Sequence, residues 1–185
     1  MRVISGSRKG HRLKAPKGNR VRPTEDRIKE SLFNILGEIN KSAIVLDAFA
    51  GSGSIGIEFL SRGAKEAYFV DDFYGSIATI KDNLEHTKLI DRAKIIKVDI
   101  FLILKRFNKD NLLFDYIYLD PPFNQEELVL KLLKEISSEG ILNKKGIIII
   151  EHGKNLQLEN SIYDFKKIDY RKYGSKLLTF YKIKD

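Results

Sequence analysis

Apolar residues along the 185-residue chain follow two alternating rhythms. Pro23-Thr24 opens the first helical stretch, with Thr24 suited to the N-cap and Glu25 and Asp26 suited to the positive end of the helix dipole. Ile28, Leu32, Phe33, Ile35 and Leu36 then recur on one face, and Gly37 suits the helix end. From residue 43 onward the pattern predicts strands at 43–48, 67–70, 94–98, 114–119 and 146–150. Helices are predicted at 54–62, 74–86 and 101–107, with a further one between the last two strands. Near-continuous apolar strands alternating with helices indicate a parallel sheet covered on both faces. The end of the chain breaks that rhythm. Residues 162–170 and 176–183 are strand-like runs joined by a short turn containing Gly174, too close for a helical crossover, so they should pair antiparallel. The fold class expected is therefore α/β: a seven-stranded, mostly parallel sheet ending in an antiparallel hairpin.

Composition narrows the chemistry. Hydrophobic residues make up 43% and charged residues 31% of the chain, and the longest apolar run, Gly146 to Ile150, has strand length. The first residues lack the apolar core of a signal peptide, so a cytoplasmic protein with no membrane association is expected. There is no cysteine. Disulfides, thiolate metal sites and a cysteine nucleophile are excluded, and with the last the usual route to methylation at C5 of a pyrimidine. His11, His86 and His152 show no metal-ligand spacing; each reads as a surface or structural residue, and no metal is expected.

Charge adds a partner class. Of the net +8, residues 1–22 hold eight Lys and Arg and no Asp or Glu. Such a block suits a polyanion, because each contacted phosphate releases condensed counterions. Val3-Ile4 and Leu13 flank Gly6 to Gly10, which reads as a short basic hairpin. The organisation expected is an RNA-contacting extension over 1–22, followed by one domain over 23–185. Arg8, Lys9, Arg12, Lys14, Arg20, Arg22 and Arg27 are the candidate RNA contacts, although Arg22, Thr24 and Arg27 suit equally a capped helix packed on the sheet.

After the first strand comes Asp47-Ala-Phe-Ala-Gly51-Ser-Gly53-Ser-Ile-Gly56. Its glycines fit a dinucleotide fingerprint, with Asp71 at the spacing of a ribose-binding acid. Asp47 tilts the choice. A carboxylate at the strand end would face a pyrophosphate unfavourably but suits a ligand carrying an amino group and a sulfonium. One such pair at about 4 Å is worth roughly 4 kcal/mol before desolvation at an effective dielectric near 20. S-adenosylmethionine is thus the expected cofactor, held by Asp47, Phe49, Gly51, Gly53, Gly56 and Asp71. Asp72 competes with Asp71 for the ribose. Asp99 and the Ile100 backbone are placed for adenine, and Asp99 is equally suited to cap the following helix.

Asp120-Pro121-Pro122-Phe123 follows another strand, at the edge where open α/β sheets receive ligands. An exocyclic base amine is a poor nucleophile because its lone pair is delocalised into the ring. Hydrogen bonds from its N–H groups to the Asp120 side chain and the Pro121 carbonyl would orient that lone pair toward a methyl donor. The prolines stiffen the loop, and Phe123 offers a stacking surface worth roughly 1–3 kcal/mol per base. Such a pocket needs an unpaired or flipped-out base. The tetrapeptide serves guanine N2 and adenine N6 alike, which leaves an adenine-N6 methyltransferase acting on DNA or RNA as a second reading. An inactive RNA-binding protein of the same fold is a third.

Across essentially its whole length the sequence resembles the bacterial RsmD-type family of 16S rRNA guanine-N2 methyltransferases. The resemblance is carried by Arg2 to Gly6, Lys9-Gly10, Leu13, Arg22-Pro-Thr24, Asp26-Arg27 and Ser31 to Leu36. Asp47 to Gly53, Asp120 to Phe123 and Tyr173-Gly174 complete it. It implies a Rossmann-like class I methyltransferase that uses S-adenosylmethionine, with small-subunit 16S rRNA as partner; a monomer is expected, although no residue pattern speaks to oligomeric state. It also implies that the glycine loop and Asp71 hold the cofactor while the Asp120 loop receives guanine. Two positions depart from the family pattern: Asp71, where Glu is commoner, and Asp99, which is variably Asp or Asn.

Overall fold

The computed structural model describes residues 1–16, 26–122 and 126–184 and divides into two compact units, Met1–Asp99 and Ile100–Asp185. In the first unit, helix α1 (Asp26–Leu36) buries Ile28, Leu32 and Phe33 and ends at Gly37, whose φ of +70° is the left-handed conformation expected of a helix stop. The expected cap at Thr24 lies outside the described residues. Strand β1 (Ile44–Ala48), helix α2 (Ser54–Ser61), strand β2 (Glu66–Asp71), helix α3 (Tyr74–His86) and strand β3 (Ala93–Lys97) follow. The strands lie parallel in the order β3-β2-β1, with Leu46 beside Tyr68 and Tyr68 beside Lys94. Val45 to Ala48 are all buried, as a strand covered on both faces requires. Phe33 of α1 meets Phe59 of α2 edge-on at 4.7 Å.

Residues 1–13 form the small hairpin that their pattern suggests. Val3 N–H donates to the His11 carbonyl, Gly10 N–H to the Val3 carbonyl and Leu13 N–H to the Met1 carbonyl. Its apolar residues Val3 and Leu13 are buried, so the hairpin is packed down by its own hydrophobic side.

The second unit holds helix α4 (Ile100–Lys109), strand β4 (Phe114–Leu119), helix α5 (Glu126–Glu139), and strands β5 (Leu142–Gly153), β6 (Ser161–Ile162), β7 (Phe165–Tyr173) and β8 (Lys176–Ile183). The strand order is β4-β5-β8-β7-β6; β4 and β5 are parallel and the other pairs antiparallel. Two details differ from the sequence pattern. The run at 162–170 is not one strand, because Tyr163 takes a left-handed φ of +48° and turns β6 back onto β7; this makes an eighth strand where seven were expected. Strand β5 also starts earlier than Gly146, with a register break against β4 that passes over the polar residues 143–145.

Candidate functional site

Between β1 and α2 the backbone takes left-handed conformations at Phe49 (φ +67°), Gly51 (+56°) and Gly53 (+75°). For the two glycines this is free; for an aromatic residue it costs roughly 1–2 kcal/mol, so the surrounding structure must enforce it. The loop is pinned by Ala50 N–H to the Val70 carbonyl and Gly53 N–H to the Ala50 carbonyl, at 3.0 and 2.7 Å. Gly53 is the N-cap residue of α2 and supplies no side-chain cap. Gly56 meets a packing constraint instead: a Cβ there would lie 2.4 Å from Cε1 of Phe69 on β2. The three glycines thus open the turn, cap the helix and let helix and sheet close together, as the fingerprint leads one to expect.

Two carboxylates hold this loop. Asp47, at the end of β1 and buried, accepts a hydrogen bond from Gly56 N–H on Oδ2 at 2.9 Å, reaching across the turn to the start of α2. Its carboxyl is raised to about 8, chiefly by burial, with the Gly56 N–H opposing the shift and the neighbouring Asp71 adding to it. Asp47 is therefore largely neutral at pH 7, and a cation arriving here would have to displace its proton before the expected ion pair could form. Asp71, half-buried at the end of β2, accepts from Gly51 N–H on Oδ2 at 2.8 Å and from Phe73 N–H on Oδ1 at 2.9 Å. It ties the glycine loop to the segment entering α3. Each of its oxygens keeps a second lone pair, which ribose hydroxyls can use. Asp72 is exposed; Asp99, also exposed, stands immediately before α4, where Ile100 begins the helix and is buried.

In the second unit, Asp120 comes directly after β4 and is half-buried, followed by half-buried Pro121 and exposed Pro122. Phe123 lies outside the described residues. Behind the loop is a network that sequence reasoning missed. Tyr118, two residues before Asp120, donates its hydroxyl to Oε2 of buried Glu151 at 2.6 Å, and Nζ of Lys176 on β8 pairs with Oε1 of the same carboxylate. The next residue, His152, is buried with Nε2 2.8 Å from the Thr179 hydroxyl, a structural role as expected. The available signal was a glutamate directly after the apolar run Ile147 to Ile150, a position where an unpaired charge could not be buried.

Of the basic candidates, Lys9, Arg12 and Arg27 are exposed and Arg8 is half-buried, while Lys14 pairs with Asp82 at 2.9 Å. Arg20 and Arg22 lie outside the described residues. The hairpin that presents this charge is tied to α2. Glu58, fully buried, accepts from Ile4 N–H at 2.8 Å, Ser5 N–H at 2.9 Å and Arg62 Nε at 2.9 Å, and its Oε2 lies 3.6 Å from Nζ of buried Lys29 on α1. Arg8 N–H adds a bond to the Ser61 hydroxyl at 3.0 Å. No sequence signal marked Glu58 or Lys29.

Among the described residues, no group of three or more His, Cys, Asp or Glu side chains is placed to hold a metal ion, and no helix is long and apolar enough to cross a membrane. A family model described as "Conserved hypothetical protein 95" matches residues 1–182. The chain is 39% identical over 182 residues to the Bacillus subtilis (strain 168) protein named "Putative rRNA methyltransferase YlbH", covering 98% of each. It is 35% identical over 161 residues to the Haemophilus influenzae protein named "Ribosomal RNA small subunit methyltransferase D", covering 85% of this chain and 81% of that one. Among solved structures, a Thermus thermophilus hypothetical protein, TTHA0928, superposes with a TM-score of 0.85 at 26% identity, over 99% of both chains.

Proposed function

The chain belongs to the RsmD-type family described as Conserved hypothetical protein 95, and on that premise we propose that it methylates the exocyclic N2 of a guanine in small-subunit 16S rRNA, with S-adenosylmethionine as donor. The observation that carries the cofactor half is the double grip of Asp71 on the backbone at Gly51 and Phe73. It holds a glycine turn with left-handed Gly51 and Gly53 beside a half-buried carboxylate, a donor and acceptor set that fits a nucleoside with a free ribose diol. Gly51, Gly53 and Asp71 would hold the cofactor directly, with Phe49, Asp72, Asp99 and the Ile100 backbone as further contacts. Asp47 acts through Gly56 and the loop. When bound, the cofactor supplies an electrophilic methyl group.

The acceptor half rests on Asp120 to Phe123. Asp120 and the Pro121 carbonyl would accept the two N–H bonds of the guanine amine, aim its lone pair and stabilise the positive charge that develops on nitrogen. Consecutive prolines fix φ near −65°, so little order has to be created when the base arrives. The exposed cations of the N-terminal hairpin, held on α2 by Glu58, would engage rRNA phosphates in the assembled or assembling subunit, with a single chain acting in the cytoplasm.

The test is incubation with unmodified small-subunit particles and methyl-labelled cofactor, followed by mass spectrometry of the nucleosides. N2-methylguanosine is expected. Label in N6-methyladenosine would transfer the acceptor assignment to adenine, and absence of label from all RNA would reject the enzyme reading.

A further inference from the structure

Strand β6 pairs with the outer edge of β7 at Phe165 and Lys166, and the carbonyl of Asn160 just before it accepts from Lys167 N–H at 2.9 Å. Further along β7, toward its turn into β8, the side chains of Tyr170, Arg171 and Lys172 are exposed, with Tyr170 60% accessible. Register places this tip near the acceptor loop. Leu119, the residue before Asp120, pairs with Ile150; Ile150 pairs with Thr179; Thr179 pairs with Tyr170. Three strand spacings amount to about 14 Å. The following positions carry Glu151 beside Leu178 beside Arg171, and His152 beside Leu177 beside Lys172.

The tip is also anchored. Lys176 and Tyr118 share the Glu151 carboxylate, and Lys154 N–H donates to the Ser175 carbonyl at 3.0 Å. Charges on an open strand edge commonly serve to discourage edge-to-edge pairing. That accounts for Arg171 and Lys172 but not for an aromatic ring left mostly in water, with Lys167 Nζ 6.0 Å from its centroid.

We propose that this hairpin tip is an RNA-contact surface. Arg171 and Lys172 bind backbone phosphates beside the target nucleotide, and Tyr170 stacks on an unpaired neighbouring base. Arg171 Nη2 now pairs with Asp169 at 2.9 Å, with both side chains partly exposed, an exchangeable contact that a phosphate can replace. The proposal rests on the rRNA methyltransferase reading and deepens it.

The test compares methylation of unmodified small-subunit particles by the wild-type chain and by Tyr170→Ala, Tyr170→Phe, Lys172→Glu and the double variant Arg171→Ala/Lys172→Ala. Tyr170→Ala should raise KM for particles about tenfold, and Tyr170→Phe should restore it, since the ring face and not the hydroxyl is used. The double variant should flatten the log–log salt dependence of RNA binding by about 1–2 units. Cofactor affinity and melting temperature should stay at wild-type values. If Tyr170→Ala unfolds, Lys172→Glu, changed at an exposed side chain, decides by the same readouts. A wild-type chain that labels no RNA rejects the parent reading. A wild-type chain that labels RNA, with variants that keep its KM and salt slope, overturns the hairpin surface and leaves edge protection as its role.

Discussion

Gly56 faces Phe69 so closely that a methyl group at its Cα would sit 2.4 Å from the ring edge, inside any tolerable contact. Gly56→Ala should therefore cost about 1–3 kcal/mol, the usual penalty for overpacking, seen as a lower urea midpoint. Adding Phe69→Leu should recover part of that loss; a Gly56→Ala chain as stable as wild type would mean that α2 can move off the sheet. Asp47, nine residues earlier, makes a pH prediction. Its carboxyl is raised from 3.8 to about 8 in the folded chain. Between these values the folded state holds a proton that the unfolded state has lost. The stability due to Asp47 is therefore fully present below about pH 4, declines as pH rises and levels off above about 8. Asp47→Asn keeps an oxygen for Gly56 N–H and cannot ionise. Its stability relative to wild type should climb steadily from pH 5 to 8 in urea titrations, and parallel curves for the two proteins would contradict a neutral buried acid.

At the scale of elements, α1, α2 and the N-terminal hairpin are joined by one buried carboxylate. Glu58→Ala removes the carboxylate facing buried Lys29, whose Nζ keeps the Arg2 carbonyl as an acceptor, and frees the N–H groups of Ile4 and Ser5. A loss of about 3–5 kcal/mol is expected, with faster hydrogen exchange at those two amides. Glu58→Leu combined with Lys29→Met should cost less than Glu58→Ala alone, because the buried ammonium is removed together with its carboxylate; equal costs would show that the pair with Lys29 is not what Glu58 supplies. The same residues show where sequence reasoning stops. Period and punctuation alone located α3, β4 and β8 at their observed bounds, because Tyr74 to His86, Phe114 to Leu119 and Lys176 to Ile183 each carry one uninterrupted rhythm. The glycine loop was legible because left-handed turns and close helix–sheet approach select glycine. Glu58 and Lys29 were not, since on a helix each reads as a solvated charge until tertiary packing supplies the other. Tyr163 hid the β6–β7 turn for a related reason: an aromatic at φ +48° carries no glycine or asparagine to announce it.

At the scale of the whole molecule, the two halves of the proposed chemistry belong to different compact units: the glycine loop and Asp71 to Met1–Asp99, and Asp120 to Ile100–Asp185. Each half can therefore be disabled without removing any residue from the other, and the two defects should be kinetically distinct. Asp120→Ala removes a hydrogen-bond acceptor that is used most strongly when positive charge develops on the attacking nitrogen. Loss of one such preorganised group commonly costs about 10²–10³ in kcat. Titration calorimetry of this variant with S-adenosylmethionine should give a dissociation constant within a few fold of wild type. Asp71→Ala should behave in the opposite way. It releases Gly51 and Phe73 and withdraws the ribose acceptor, so cofactor affinity should fall and KM for cofactor rise, with transfer partly restored at saturating cofactor. The pair of variants makes the assignment stricter than either one. An Asp120→Ala chain that loses cofactor binding as severely as Asp71→Ala would place Asp120 in the cofactor site. One that binds cofactor and still transfers methyl groups at the wild-type rate would remove Asp120 from the chemistry.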